Sequence, residues 1–150
     1  MPPVTIEAVQ AKQSELDQMI QQLVAQSSVR EIKIEGRTIK LQPGERYAGA
    51  RLDAQGQHMH DTIVLTARPA SKLNWQGALD FGVQSGGQLA SPEEYALIKA
   101  NCPDLLTDPW CWTNREYEDD ASAAWSFFSI GNTLSHRKSA AGGALAVRRV

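Results

Sequence analysis

The chain's 150 residues, 42% hydrophobic and 21% charged, suffice for one domain, or for a small domain with an appendage. A chain of this length buries roughly 70% of its unfolded surface and so needs no disulfide or metal staple. Its formal net charge of -2 gives no general attraction to nucleic acid or membrane, and apolar runs as short as Ile63 to Leu65 leave no transmembrane helix.

Met1-Pro2-Pro3-Val4-Thr5 offers neither a basic nor a hydrophobic stretch, so no secretory signal is expected. Cys102 and Cys111 are too few for a disulfide framework. They are expected as reduced thiols of a cytoplasmic product, with a single bridge as the alternative. A virion protein would lack a signal peptide too.

Residues 5–27 carry the clearest periodicity. Ile6, Val9, Gln13, Leu16, Ile20, Leu23 and Ser27 recur at spacings of three and four, a heptad seam with Ile6 and Ile20 at a and Val9, Leu16 and Leu23 at d. Ile at a with Leu at d favours two strands, and polar Gln13 at a shifts that preference. Two readings stay open: self-association through residues 5–27, or an amphipathic helix folded back on its own domain.

The period then changes to two. Val29–Ile34 and Arg37–Leu41 flank Glu35-Gly36, a hairpin signal, and Ile32, Ile34, Ile39 and Leu41 would share a face. A second hairpin, 47–52 with 57–67, turns at Asp53-Ala54-Gln55-Gly56. A helix begins near Leu73-Asn74-Trp75, with Asn74 as cap and Trp75, Ala78, Leu79 and Phe81 or Gly82 on one side, and ends at Gly86-Gly87. Ser91 caps the next helix, to about Asn101, with Pro92 in its first turn, Glu93 and Glu94 near its positive end, and Tyr95, Leu97 and Ile98 as core candidates. Strands are expected at 110–113, 124–130 and 144–147, with a turn at Gly131-Asn132 and a flexible approach at 139–143.

Several residues at these joints carry a resemblance. They are Gly44-Glu-Arg-Tyr-Ala-Gly49, Trp75 with Ala78, Gly86-Gly-Gln-Leu89, Glu93 or Glu94 with Leu97, Trp110-Cys-Trp-Thr113, Ala124-Trp125 with Phe127, Gly131, and Ala146-Val-Arg-Arg-Val150. Over about residues 44–150 the chain resembles small phage- and prophage-encoded C-type-lectin-like domains of unknown function. Those are related to the C-terminal domain of collagen-like bacterial adhesins and, distantly, to formylglycine-generating enzymes. It departs from their pattern at Leu89-Ala90-Ser91-Pro92, where Leu-Pro-Thr is usual, and at Cys111 and Thr113, where Trp-Tyr-Trp-Ser is frequent. The resemblance implies a stable core bearing variable loops that bind proteins or sugars, often without metal.

Chemistry-bearing residues point the same way. The lectin triplets Glu-Pro-Asn and Gln-Pro-Asp are absent, and Asn114, Glu116, Glu118, Asp119 and Asp120 read as a solvated acidic loop before they read as a calcium site. His58 and His60 alternate on a strand and, with Asp61 or His136, would be zinc ligands only if they converged. Cys111 between Trp110 and Trp112 reads as a buried, inert thiol. His136, Arg137, Lys138, Arg148 and Arg149 form a basic stretch, but Arg148 and Arg149 alternate across a strand, so a structural ion pair for one of them outweighs a nucleic-acid footprint. Trp75, Trp110, Trp112 and Trp125 read mainly as core, with one of them accessible, and Trp110 and Trp112 on the strand face opposite Cys111.

The expectation is an α+β chain: an N-terminal helix over 1–28, a β-hairpin connector over 29–43, and a C-type-lectin-like domain over 44–150 of two helices plus antiparallel strands. Its expected function is non-enzymatic binding of a protein or other ligand, without cofactor or metal, through loops in 101–122 and 131–143. The residues singled out there are Asn114, Arg115, Glu116, Tyr117, Glu118, Asp119, Asp120, His136, Arg137 and Lys138. Two settings compete, an intracellular phage accessory protein that inhibits a host factor and a virion receptor-binding tip. The third alternative, a metal- or thiol-dependent enzyme, needs the histidines or cysteines to converge.

Overall fold

Thr5 starts the first helix: its hydroxyl accepts the Ala8 amide at 3.1 Å, one of the donors that has no partner inside a helix. From there α1 runs Ile6–Ser27, and none of its residues is buried. The computed structural model describes residues 3–34 and 36–150, so Met1 and Pro2 of the signal-peptide reading, and Glu35 of the first hairpin turn, lie outside the described residues. The chain divides into two compact units, Met1–Gly44 and Glu45–Val150.

In the first unit, β1 (Arg30–Ile34) pairs antiparallel with β2 (Arg37–Leu41), Ile32 opposite Ile39. Ile32, Ile34, Ile39 and Leu41 are the shielded apolar positions and their neighbours are exposed, as a period of two requires.

The second unit opens with β3 (Arg46–Leu52) and β4 (His58–Val64), joined by a turn in which the Asp53 carboxylate accepts the Gln55 and Gln57 amides at 2.9 Å. β4 stops short of the expected Ala67, because the Leu65 amide turns to the Ala146 carbonyl and Arg68 caps the Leu65 and Ala67 carbonyls. Helix α2 (Trp75–Gln84) is capped by Asn74. Gly82 lies on its buried side, where a methyl group would collide with the Leu89 amide of β5 (Gln88–Leu89), so the helix closes on the strand only with glycine there. Helix α3 (Pro92–Asn101) follows, and Pro103–Leu105 adds a short 3₁₀ turn.

β6 (Trp110–Glu116), β7 (Ala123–Phe128) and β8 (Thr133–Arg137) form one antiparallel sheet in that order, while β9 (Ala146–Arg149) enters the other between β4 and β5, giving the order β3-β4-β9-β5. The architecture is α+β. Two further expectations need correction. Residues 133–137, read as part of a loop, are a strand; as a mostly exposed edge it shows no apolar alternation. The last strand, expected at 144–147, is displaced to 146–149, since the Leu145 amide is taken by the Tyr95 hydroxyl at 3.1 Å instead of a neighbouring strand.

Two clusters form the core. One gathers Tyr95, Ile98, Cys102, Cys111, Phe127, Leu145 and Val147, with the Tyr95 and Phe127 rings stacked at 5.4 Å. The other gathers Trp75, Ala78, Leu89, Trp112, Ala124 and Ala144. Trp110 and Trp112 meet edge to face at 5.0 Å, and Cys111 lies in the opposite cluster, as strand alternation dictates. Among the described residues no helix is long and apolar enough to cross a membrane.

Arg148 and Arg149 take opposite sides of β9, and both are structural. Arg148 forms a two-pronged pair with buried Glu45, and Arg149 does the same with Glu94, which is wholly buried. Glu94 also accepts the Ser91 amide at 2.9 Å, closing a capping box with Ser91, and lies 3.2 Å from the His60 ring. Burial opposes its ionisation, but Arg149 and the Ser91 amide outweigh that and hold the carboxyl at about 2. Because the folded value lies below the ordinary 4.5, the contribution is full above pH 4.5 and is lost as pH falls toward 2. It amounts to roughly 3 kcal/mol. The midpoint of thermal unfolding, followed by circular dichroism, should therefore fall across that window. Glu94→Gln should flatten the acid slope and cost about 3–5 kcal/mol at neutral pH, because Arg149 is left unpaired.

Candidate functional site

The end of β6 and the middle of β7 carry side chains that the core does not absorb. Along β7, Ala124 and Ser126 point to the face where Trp75 and Trp112 pack, and Trp125, between them, points to the other, where it stays partly exposed. Its indole N–H donates to Glu118 at 2.9 Å and its ring meets Tyr117 edge to face at 5.0 Å. Trp125, Glu118, Arg115, Pro92 and Thr133 line an open depression of about 410 Å³.

Arg115 also lines a second, shallow depression of about 290 Å³, with Arg51, Met59, His60, Ser91, Glu93, Asn114 and Arg149. The two depressions thus share one guanidinium. Glu93 sits between Arg115, at 2.8 Å, and Arg51, at 3.5 Å. Burial opposes the ionisation of Glu93, but its own backbone N–H, Arg115 and Arg51 outweigh it and hold the carboxyl below the ordinary range. The Trp125 N–H does the same for Glu118. The groove therefore presents fixed charges of both signs beside an aromatic ring.

The candidate residues separate into two groups. Asn114, Arg115 and Glu118 line the groove and Tyr117 supports its tryptophan. Asn114, Arg115 and Glu116 are strand residues rather than loop residues. Glu116 lies opposite Ala124 and faces the other side of the sheet, where it pairs with Lys138 at 3.2 Å; Lys138 in turn sits 4.6 Å above the Trp75 ring. His136 lies flat on Trp110 at 4.1 Å with Ser126 at 2.8 Å, and burial lowers its pKa. Arg137 is exposed on β8. Asp119 raises the pKa of the Tyr117 phenol, and Asp120 closes the β6–β7 turn through the Ser122 amide and hydroxyl. The carboxylates of Glu116, Glu118, Asp119 and Asp120 thus each face a different partner.

Arg51, Glu93, Trp125 and Thr133 belong to the groove and were not singled out from sequence. Only Trp125 had left a signal, as one of four tryptophans of which one was expected to be accessible.

The remaining clusters serve the fold. His58 reaches Asp61 at 3.4 Å and His60 reaches Glu94 at 3.2 Å. Among the described residues no group of three or more His, Cys, Asp or Glu is placed to hold a metal. A cavity of about 450 Å³ lies between residues 68–72 and 104–108, but its Asp104 is paired with Arg46 and its Arg68 caps backbone carbonyls. Both cysteines are free and buried. Burial pushes the Cys111 thiol up to about 12 and raises that of Cys102 as well. Neither thiol should react with Ellman's reagent in the native protein at pH 8. Both should react at once in denaturant, so fast labelling of either under native conditions would contradict this packing.

No protein-family model matches the chain, and no curated protein matches it.

Proposed function

We propose that this chain is a non-enzymatic binding module whose residues 45–150 adopt a C-type-lectin-like fold and take a protein ligand along the groove at Arg115 and Trp125. In support of the fold reading, two helices stand with antiparallel strands in the expected chain order. The observation that carries the function is Trp125, partly exposed and outside both core clusters, whereas Trp110 and Trp112 of the same sheet pack with the core, with Arg115 and Glu118 in the same depression. Tryptophan and arginine are the side chains that most often dominate binding energy at protein interfaces. The neighbouring Arg51–Glu93–Arg115 row supplies orientation through charges of both signs. An open groove of this kind suits an extended peptide segment better than a small molecule, which needs a more enclosed site.

The test is selection from a random peptide library on the full chain, followed by calorimetric titration. Selected peptides should bind Trp125→Ala and Arg115→Ala at least about tenfold more weakly. Arg115→Ala should shift stability by less than about 1 kcal/mol, because its ion pair with Glu93 is largely exposed. Peptides that bind both variants as tightly as the parent would place the ligand elsewhere and overturn the reading.

A further inference from the structure

Helix α1 presents an apolar seam with no cover. Ile6, Val9, Leu16, Ile20 and Leu23, the apolar heptad positions, are 53–73% exposed. Met19 and Val24, at 55% and 59%, flank the same stripe and widen it. Twenty-two residues of capped helix with such a stripe are unfavourable in water unless something covers it.

The character of the stripe selects the cover. With Ile6 at a, Gln13 is the only a position between Ile6 and Ile20, and it is polar. A copy set parallel and in register puts Gln13 beside Gln13, where the two amides satisfy each other. A shift of one heptad would bury each against isoleucine, and an antiparallel copy would bury it against d-position side chains. Charge agrees with this register. Lys12 falls at g and Asp17 at the following e, the two positions that meet across a parallel pair. Lys12 is only loosely engaged within its own helix, with Glu15 at 3.8 Å and both side chains mostly exposed. Met19 and Val24 stand in the same g-to-e relation one heptad later, apolar against apolar. A lipid surface fits poorly, because α1 carries Glu7, Glu15 and Asp17 against the single cation Lys12.

We propose that α1 binds α1 of a second copy of this chain in a parallel, in-register coiled coil, fixed by a Gln13–Gln13 layer and by Lys12–Asp17 pairs between the copies. No groove residue takes part, so this proposal and the binding reading stand or fall separately.

The experiment is sedimentation equilibrium of the full chain over a wide concentration series, reading multiples of 16.4 kDa. An oligomer is expected, and Leu16→Glu should make it monomeric with the tryptophan near-ultraviolet signal unchanged. Lys12→Asp should raise the dissociation constant about fivefold, and adding Asp17→Lys should restore it, since the pair is then reversed but again opposite in sign. Gln13→Cys should form a disulfide-linked dimer on oxidation. A chain monomeric at every concentration would overturn the proposal and leave the face to the chain's own larger unit, to a different protein or to lipid. So would an oligomer indifferent to Leu16→Glu. An oligomer that Gln13→Cys does not cross-link, or that the reversed pair does not rescue, would overturn the parallel register.

Discussion

A single buried carboxylate ties the larger unit together. Glu94 caps α3 through the Ser91 amide, clamps β9 through Arg149, and faces His60 and Thr62 of β4. One charge thereby joins a helix start, the central strand of a sheet and that strand's neighbour. A carboxylate this deep is tolerated only because each oxygen is engaged, which makes the geometry around it hard to vary. The groove inherits that constraint. Ser91, His60 and Arg149 are partners of Glu94 and at the same time wall the depression beside Arg115, so its floor is held by the core.

Much of this was legible residue by residue where the physics is local. Asn74 and Ser91 announce helix starts because their side chains fit the first free amides, and the hairpin turn at Asp53 follows from the same chemistry. The alternation of Trp110, Cys111 and Trp112 foretold which core cluster each would join. The heptad spacing of α1 foretold a helix, and its full exposure shows that the stripe is not spent on the first unit's own packing.

What was not legible depends on partners far away in sequence. Thr133–Arg137 is a strand because β7 offers it a free edge, and nothing in Thr-Leu-Ser-His-Arg states that by itself. The Arg148–Glu45 pair links residues 103 apart, so the basic run near the C-terminal end looked like a surface feature until its two acids were located. Trp125 could be assigned to groove or core only after the registers of β6 and β8 against β7 decided what lay on each face. His136, chosen as a loop residue, is a ring stacked on Trp110 for the same reason.

The position of β9 bears on how the protein is made. It occupies the interior of its sheet, and the Val150 amide and carbonyl still pair with Asp61, so β4 and β5 have no strand between them until residues 146–150 are synthesised. On the ribosome the larger unit therefore waits, with its apolar faces open, until residues 146–150 have been made. Helix α1 has only local hydrogen bonds and can form as soon as it leaves the exit tunnel. Under the proposed pairing of α1 with a second copy, ribosomes following one another on a single message would bring such helices close while the rest of each chain is unfinished, so both copies would come from one transcript.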